Sequence, residues 1–262
     1  MRRGFFDGAM LAGRGQRGIV GRFSFDGRHP DAEAWVSANG ADLVTAITEE
    51  SRQSVRLVIL DGLEQSRTTA AIARDIAGVK VGNKRVGGIV GLTSPQTDSI
   101  IKARAALASG DPARMRAYLG LATRDRRFDP AIRKAIREGR AIRGPELDRI
   151  IEAHKAKALK LRATLISRTE SRKATSAGRD LSYRQMLDLP GVTGVSVRWQ
   201  HNLSAEPRVD HVAMSGTTVQ IGQPFVFPDG TQMFYPHDPA APARHVIGCR
   251  CIAVYRVQVE KG

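Results

Sequence analysis

Four times in the middle of the chain a capping or turn-forming residue is followed by proline: Ser94-Pro95, Asp111-Pro112, Asp129-Pro130 and Gly144-Pro145. Proline has no N–H and a fixed φ, so within regular structure its natural place is the first turn of a helix. The punctuation predicts helices over 95–108, 112–122, 130–139 and from 145 onward. The last is long. Leu147, Ile150, Ile151, His154, Ala158, Leu161 and Leu165 keep a spacing of three and four, and Gly178 supplies the first stop. Some 32 helical residues would span roughly 48 Å. Upstream, Leu43, Ile47, Val55 and Val58 predict a helix over 41–61 that ends at Gly62. A shorter one is predicted over 68–77. Five glycines make 78–91 read as a loop.

After Gly191 the helical period disappears. Val195, Val197 and Trp199 alternate as in a half-buried strand. Val219–Ile221, Phe225–Phe227, Met233–Tyr235 and residues 252–259 are further strand candidates. The fold class is therefore α+β: a mainly helical N-terminal region with a long basic helix, then a small β-containing C-terminal module on which that helix packs. Residues 1–30 read as an extended arm, 31–144 as a helical region and 145–262 as the module. The arm holds seven Gly and six Arg in its first 28 residues, and is expected to order only against a partner.

The chain of 262 residues can bury a core without disulfides, and its two cysteines, Cys249 and Cys251, lie too close together to staple one. No apolar run reaches 18 residues, so no spanning helix and no membrane partner is expected. The basic start lacks the apolar core of a secretory signal. The net charge is +15, and residues 102–184, with 22 Lys/Arg against 9 Asp/Glu, carry nearly all of it. That favours a polyanion partner. Arg162, Arg168, Arg172 and Lys173 decorate the long helix and are the candidate nucleic-acid contacts. Aromatic residues are too sparse there for stacking on single strands, so contact should be phosphate-directed and sequence-blind.

Both cysteines and most of the histidines fall between 201 and 251. Thiolate and imidazole are the donors of a tetrahedral zinc site, and a small β-region gains from such a staple. The alternative from spacing alone is two buried hydrophobic cysteines and histidines that donate to backbone carbonyls. Asp210-His211 offers a general base, but no nucleophile accompanies it. Walker A, Gly-x-Ser-x-Gly and dinucleotide signatures are absent.

A series of motifs from 163 to 251 adds to this reading. It begins with Ala163-Thr164-Leu165-Ile166-Ser167-Arg168-Thr169-Glu170 on the long helix, followed by Trp199. Glu206-Pro207-Arg208-Val209-Asp210-His211 and Met214-Ser215-Gly216 come next. Phe225, Tyr235-Pro236-His237-Asp238-Pro239 and Gly248-Cys249-Arg250-Cys251 complete it. In kind and order these resemble the C-terminal module of the phage Mu protein F-like minor head proteins, the phage head morphogenesis family. The resemblance extends from about residue 90 to 257. Gly248 departs from it, standing where the family has Asn. The family's acidic residue before the His is matched only by Glu206 or Asp210.

The resemblance implies a minor capsid protein of a tailed double-stranded DNA phage, not an enzyme. It would sit in the capsid interior near the portal vertex and support head assembly, DNA packaging or ejection. Its partners would be the portal protein, other head proteins and non-specifically bound phage DNA, after a period in the host cytoplasm. Some members carry Cys at the position of His211, an exchange typical of metal ligands. His211, Cys249 and Cys251 are thus the expected ligands of a structural zinc, with His245, His237 or a carboxylate as the fourth. The alternatives are a metal-dependent nuclease and a cellular non-specific DNA-binding adaptor.

Overall fold

The computed structural model describes residues 5, 7–10, 24–26, 28–64, 75–76, 79–81, 84–86, 88–89, 91–202 and 207–260. The chain forms two compact units. Residues 43–164 make one; residues 1–42 and 165–262 together make the other. Both dividing points fall inside long helices, α1 (Pro30–Glu64) and α5 (Gly144–Gln185).

In the continuous unit, α2 (Ser94–Ser109), α3 (Pro112–Tyr118), a 3-10 turn (Arg126–Phe128) and α4 (Asp129–Arg137) follow one another, then α5 begins. The proline signals hold, and the caps refine them. Thr93, one residue before the expected Ser94, accepts from the Gln96 amide at 3.3 Å, and the Gln96 side chain reciprocates. Asp111 caps α3 as expected, accepting from Ala113 N at 2.7 Å. Ile89, Leu92, Leu107, Met115, Tyr118, Ile132, Ile150 and Ile151 fill the core. On α5 the apolar stripe is buried through Ala158, but Leu161 and Leu165 are exposed, where one unit gives way to the other.

The glycine-rich stretch 78–91 is not all loop. β1 (Val79–Val81) pairs antiparallel with β2 (Lys84–Val86), Lys80 opposite Arg85. The signal was present: two alternating triplets flank Gly82-Asn83, a two-residue hairpin spacing. Of the helix expected over 68–77, residues 75–76 are helical and the rest lie outside the described residues. Gly62 does not end α1, which continues to Glu64.

The other unit is built on a three-stranded antiparallel sheet in the order β4–β3–β7. β3 (Val192–Gln200) is central, with β4 (Thr218–Gln220) on one edge and β7 (Ile252–Val259) on the other. Trp199 opposes Ala253 and Val197 opposes Tyr255. β5 (Phe225–Val226) and β6 (Gln232–Met233) form a separate hairpin pair; α6 (Val209–Ala213) and α7 (Ala243–Val246) are single turns. The alternation expected at β3 is real: Val195, Val197 and Trp199 are buried on one face. The second half of α5 packs on this sheet. The Tyr183 ring stacks on Tyr255 at 4.2 Å, and Tyr255 donates to Asp180 at 3.2 Å. Among the described residues no helix is long and apolar enough to cross a membrane.

Gly178 does not stop α5, which runs on to Gln185. Its role is contact. A Cβ there would collide with the backbone carbonyl of Phe5, and one on Gly8 would collide with the carbonyl of Thr175. Two glycines thus let backbones touch where side chains would hold them apart. Residues 7–10 are helical, not extended, and rest on this chain's own α5. Phe5 is fully buried against Trp35, at 5.0 Å between ring centroids, and Phe25. Of the six arginines in the first 28 residues, only Arg28 is among the described ones.

Gly178→Ala should destabilise the protein by about 1–3 kcal/mol through this overlap, measured by urea unfolding. An undocked N-terminal segment would give the opposite sign, because alanine favours a helix over glycine by about 1 kcal/mol.

Candidate metal centre

Cys249 and Cys251 sit in the last irregular turn before β7, and His211 sits on α6. The turn is set by Gly248 at φ 71°, a left-handed conformation that glycine and asparagine both tolerate. Either residue at 248 keeps the backbone that presents Cys249. His211, Cys249 and Cys251 are each 2% exposed. His211 Nδ1 lies 3.4 Å from Cys251 Sγ and 3.5 Å from Cys249 Sγ. All three donor atoms fall within 4.8 Å of one another, a group that could hold a metal ion.

The surroundings prepare those atoms. Asp229 accepts from His245 Nε2 at 2.8 Å, and the two imidazoles meet at 3.2 Å through His245 Nδ1 and His211 Nε2. A carboxylate can only accept, so His245 carries its proton on Nε2. In the neutral ring its Nδ1 accepts from His211 Nε2–H, which leaves the His211 Nδ1 lone pair facing the sulfurs. This is the carboxylate–histidine support that orients metal ligands, extended by one ring. Asp229 is fixed in turn: Arg244, the Thr231 amide and His245 all donate to it, holding its carboxyl well below the usual range.

The sulfurs are also provided for. The Cys251 amide donates to Cys249 Sγ at 3.4 Å. The indole N–H of Trp199 has no nitrogen or oxygen partner; it and the Asn202 amide face Cys251 Sγ. Such donors favour thiolates. The hydrogen bond from Cys251 holds Cys249 well below the ordinary thiol range against its burial. Cys251 is pushed up as the partner that keeps the proton, and by burial. Two sulfurs sharing a proton beside an aimed lone pair form a donor set that a cation completes.

Two expected ligands take other places. His245 lies behind His211, hydrogen-bonded through both ring nitrogens, and is not among the three donors that gather at the sulfurs. His237 Nε2 donates to the Cys249 carbonyl at 2.9 Å, and its Nδ1 contacts Ser176 Oγ at 3.2 Å. With φ 70°, it is a left-handed non-glycine residue, clamping the backbone of a ligand. Asp210 groups with Asp229 and His245, a second set that could hold a metal ion. Glu206 lies outside the described residues. Sequence reading missed Asp229 and the indole donor; neither type carries a spacing signal, because their partners are brought in by the fold.

The four basic candidates on α5 do not form one open face. Arg162 is buried, Arg172 donates to the Cys249 carbonyl, and Lys173 pairs with Glu170 at 3.0 Å; Arg168 is exposed. Exposed cations with no ion pair among the described residues include Arg114, Arg116, Arg126, Arg133 and Arg137 in the other unit.

No protein-family model, curated protein or solved structure matches this chain.

Metal analysis of protein purified without chelator should find about one ion per chain, lost in Cys251→Ser together with a lower melting temperature. Asp229→Ala keeps every donor but frees the His245–His211 pair. Competition with a chromophoric chelator should show affinity lowered about 10–100-fold.

Proposed function

We propose that this chain is a non-catalytic minor head protein of a tailed double-stranded DNA phage, whose C-terminal module is stapled by zinc. The reading rests on one observation. The motif residues from Trp199 to Cys251 that carry the resemblance to the Mu F-like proteins are scattered over some fifty positions, yet they converge, with Arg172 of α5 joining them. The Trp199 ring meets His211 at 5.7 Å and Phe225 at 5.3 Å; His237 and Arg172 hold the Cys249 carbonyl; Arg208 donates to the carbonyl of Ile247, two residues before Cys249. A chance succession of motifs has no reason to gather around one donor set.

The donors favour zinc as the ion. Bond lengths of about 2.3 Å to sulfur and 2.0 Å to imidazole place tetrahedral N and S ligands roughly 3.5 Å apart. The two N···S separations, 3.4 and 3.5 Å, already match. His211, Cys249 and Cys251 would hold the ion, tying α6 to the start of β7.

The nuclease alternative draws on the three-donor count, since a fourth position is where a catalytic zinc keeps its water. Burial counts against it: each ligand is only 2% exposed, so a phosphodiester has little room to reach the ion itself. Absence of DNA nicking with any divalent metal is expected, and turnover abolished by His211→Ala would establish the enzyme instead.

In a phage-producing host the chain should co-purify with portal protein and appear in heads reconstructed without imposed symmetry. Recovery free of head proteins would overturn the assignment.

DNA should bind without sequence preference, with a log–log salt slope of about −0.9 per phosphate neutralised. Replacing Arg133 and Arg137 with Gln should flatten that slope by about 2 at most, measured by fluorescence anisotropy.

A further inference from the structure

We propose that the sheet-bearing unit contains a phosphate-binding pocket beside the metal centre, independent of the head-protein reading. A cleft of about 250 Å³ lies between the second half of α5 and the start of β7. Arg172, Arg179 and Arg250 line it, with Ser176 and Asn202, and no carboxylate appears among its described lining residues. Asp180, the nearest acid on α5 in sequence, is turned to Arg184 and Tyr255. Three guanidinium groups around one concavity without a counter-ion are an arrangement that an anion relieves.

Arg179 carries the argument. Its guanidinium lies over the Tyr255 ring at 5.6 Å, so one face is taken by the aromatic and its N–H edges remain. Its Nε is buried and has no hydrogen-bond partner. That Nε–H is shielded from the cleft, so Arg179 meets a ligand there through its terminal N–H groups, and the Nε–H reports on the change beside it. Arg172 is already anchored by the Cys249 carbonyl, which holds its fork at the wall of the cleft. Arg250 is exposed, at the rim, between the two cysteines. Planar forks from three directions exceed the acceptor capacity of one carboxylate and suit the oxygens of a tetrahedral oxyanion. The ligand is thus a phosphate group, either free or a monoester, or one from a nucleic-acid backbone.

The test uses the full chain and reads the Arg179 Nε–H resonance, assigned by its loss in Arg179→Lys. Titration with inorganic phosphate at constant ionic strength should give a saturable shift, and sodium chloride none. Arg250→Gln, an exposed substitution, should weaken the phosphate response about tenfold, the loss of one charge-assisted hydrogen bond. An oligonucleotide without terminal phosphates separates the sources. A saturable shift with it assigns the backbone phosphodiester, and a shift only with phosphate and a nucleoside monophosphate assigns a free or terminal group. Equal, unsaturating responses to phosphate and chloride, or wild-type affinity in Arg250→Gln, would overturn the proposal.

Discussion

The hydrogen bond between the two imidazoles decides what the C-terminal module can be. With His211 Nε2 donating to His245, the opposite nitrogen is left as a bare lone pair between two sulfurs. Turn the tautomer over and the same three residues become a hydrogen-bonded core patch with no affinity for a cation. The direction is set at the surface, where Asp229 meets Arg244 and His245. A partly exposed ion pair thereby governs the chemistry of atoms buried two rings away. The aromatic rings of Trp199 and Phe227 pack around His211 and leave the ring little freedom to flip.

The Cys249 carbonyl is the second point on which the module depends. Arg172 from α5 and His237 from the turn after β6 both donate to it. A long helix, an irregular turn and a ligand are joined at one oxygen. Arg172 therefore reads two ways. In sequence it was a cation on a basic helix; in space it braces the backbone of Cys249 and forms a wall of the arginine-lined cleft. Charge counted along a chain does not reveal which cations are already committed.

Much of the helical half was legible because its signals are local. Pro95, Pro112, Pro130 and Pro145 mark helix starts whatever the rest of the chain does. β3 was legible because a single buried face imposes alternation on Val195, Val197 and Trp199. The ligands His211, Cys249 and Cys251 stood out by residue type. What escaped depends on long-range contact. Gly178 looks like a stop, and only the carbonyl of Phe5, more than 170 positions earlier, explains why it lies inside a helix. His245 and His211 are indistinguishable as ligands until the side of the ring that faces sulfur is known. The β1–β2 hairpin was hidden by the glycines around it, although Gly82-Asn83 carried its signature.

The division of the chain has a consequence for how it is made. Residues 43–164 are continuous and can collapse as soon as they leave the ribosome. The other unit takes segments from both ends, so residues 1–42 must wait for 165–262. At about 5–20 residues per second, that wait is roughly 10–40 s. During it Phe5 and Trp35 have no core to enter, and the glycine contact on α5 has no partner. The strand that follows Cys251, β7, is the last part of the sheet to be synthesised. The donor set of His211, Cys249 and Cys251 therefore comes together only after residues 43–164 have been made, and the two units need not mature at the same time.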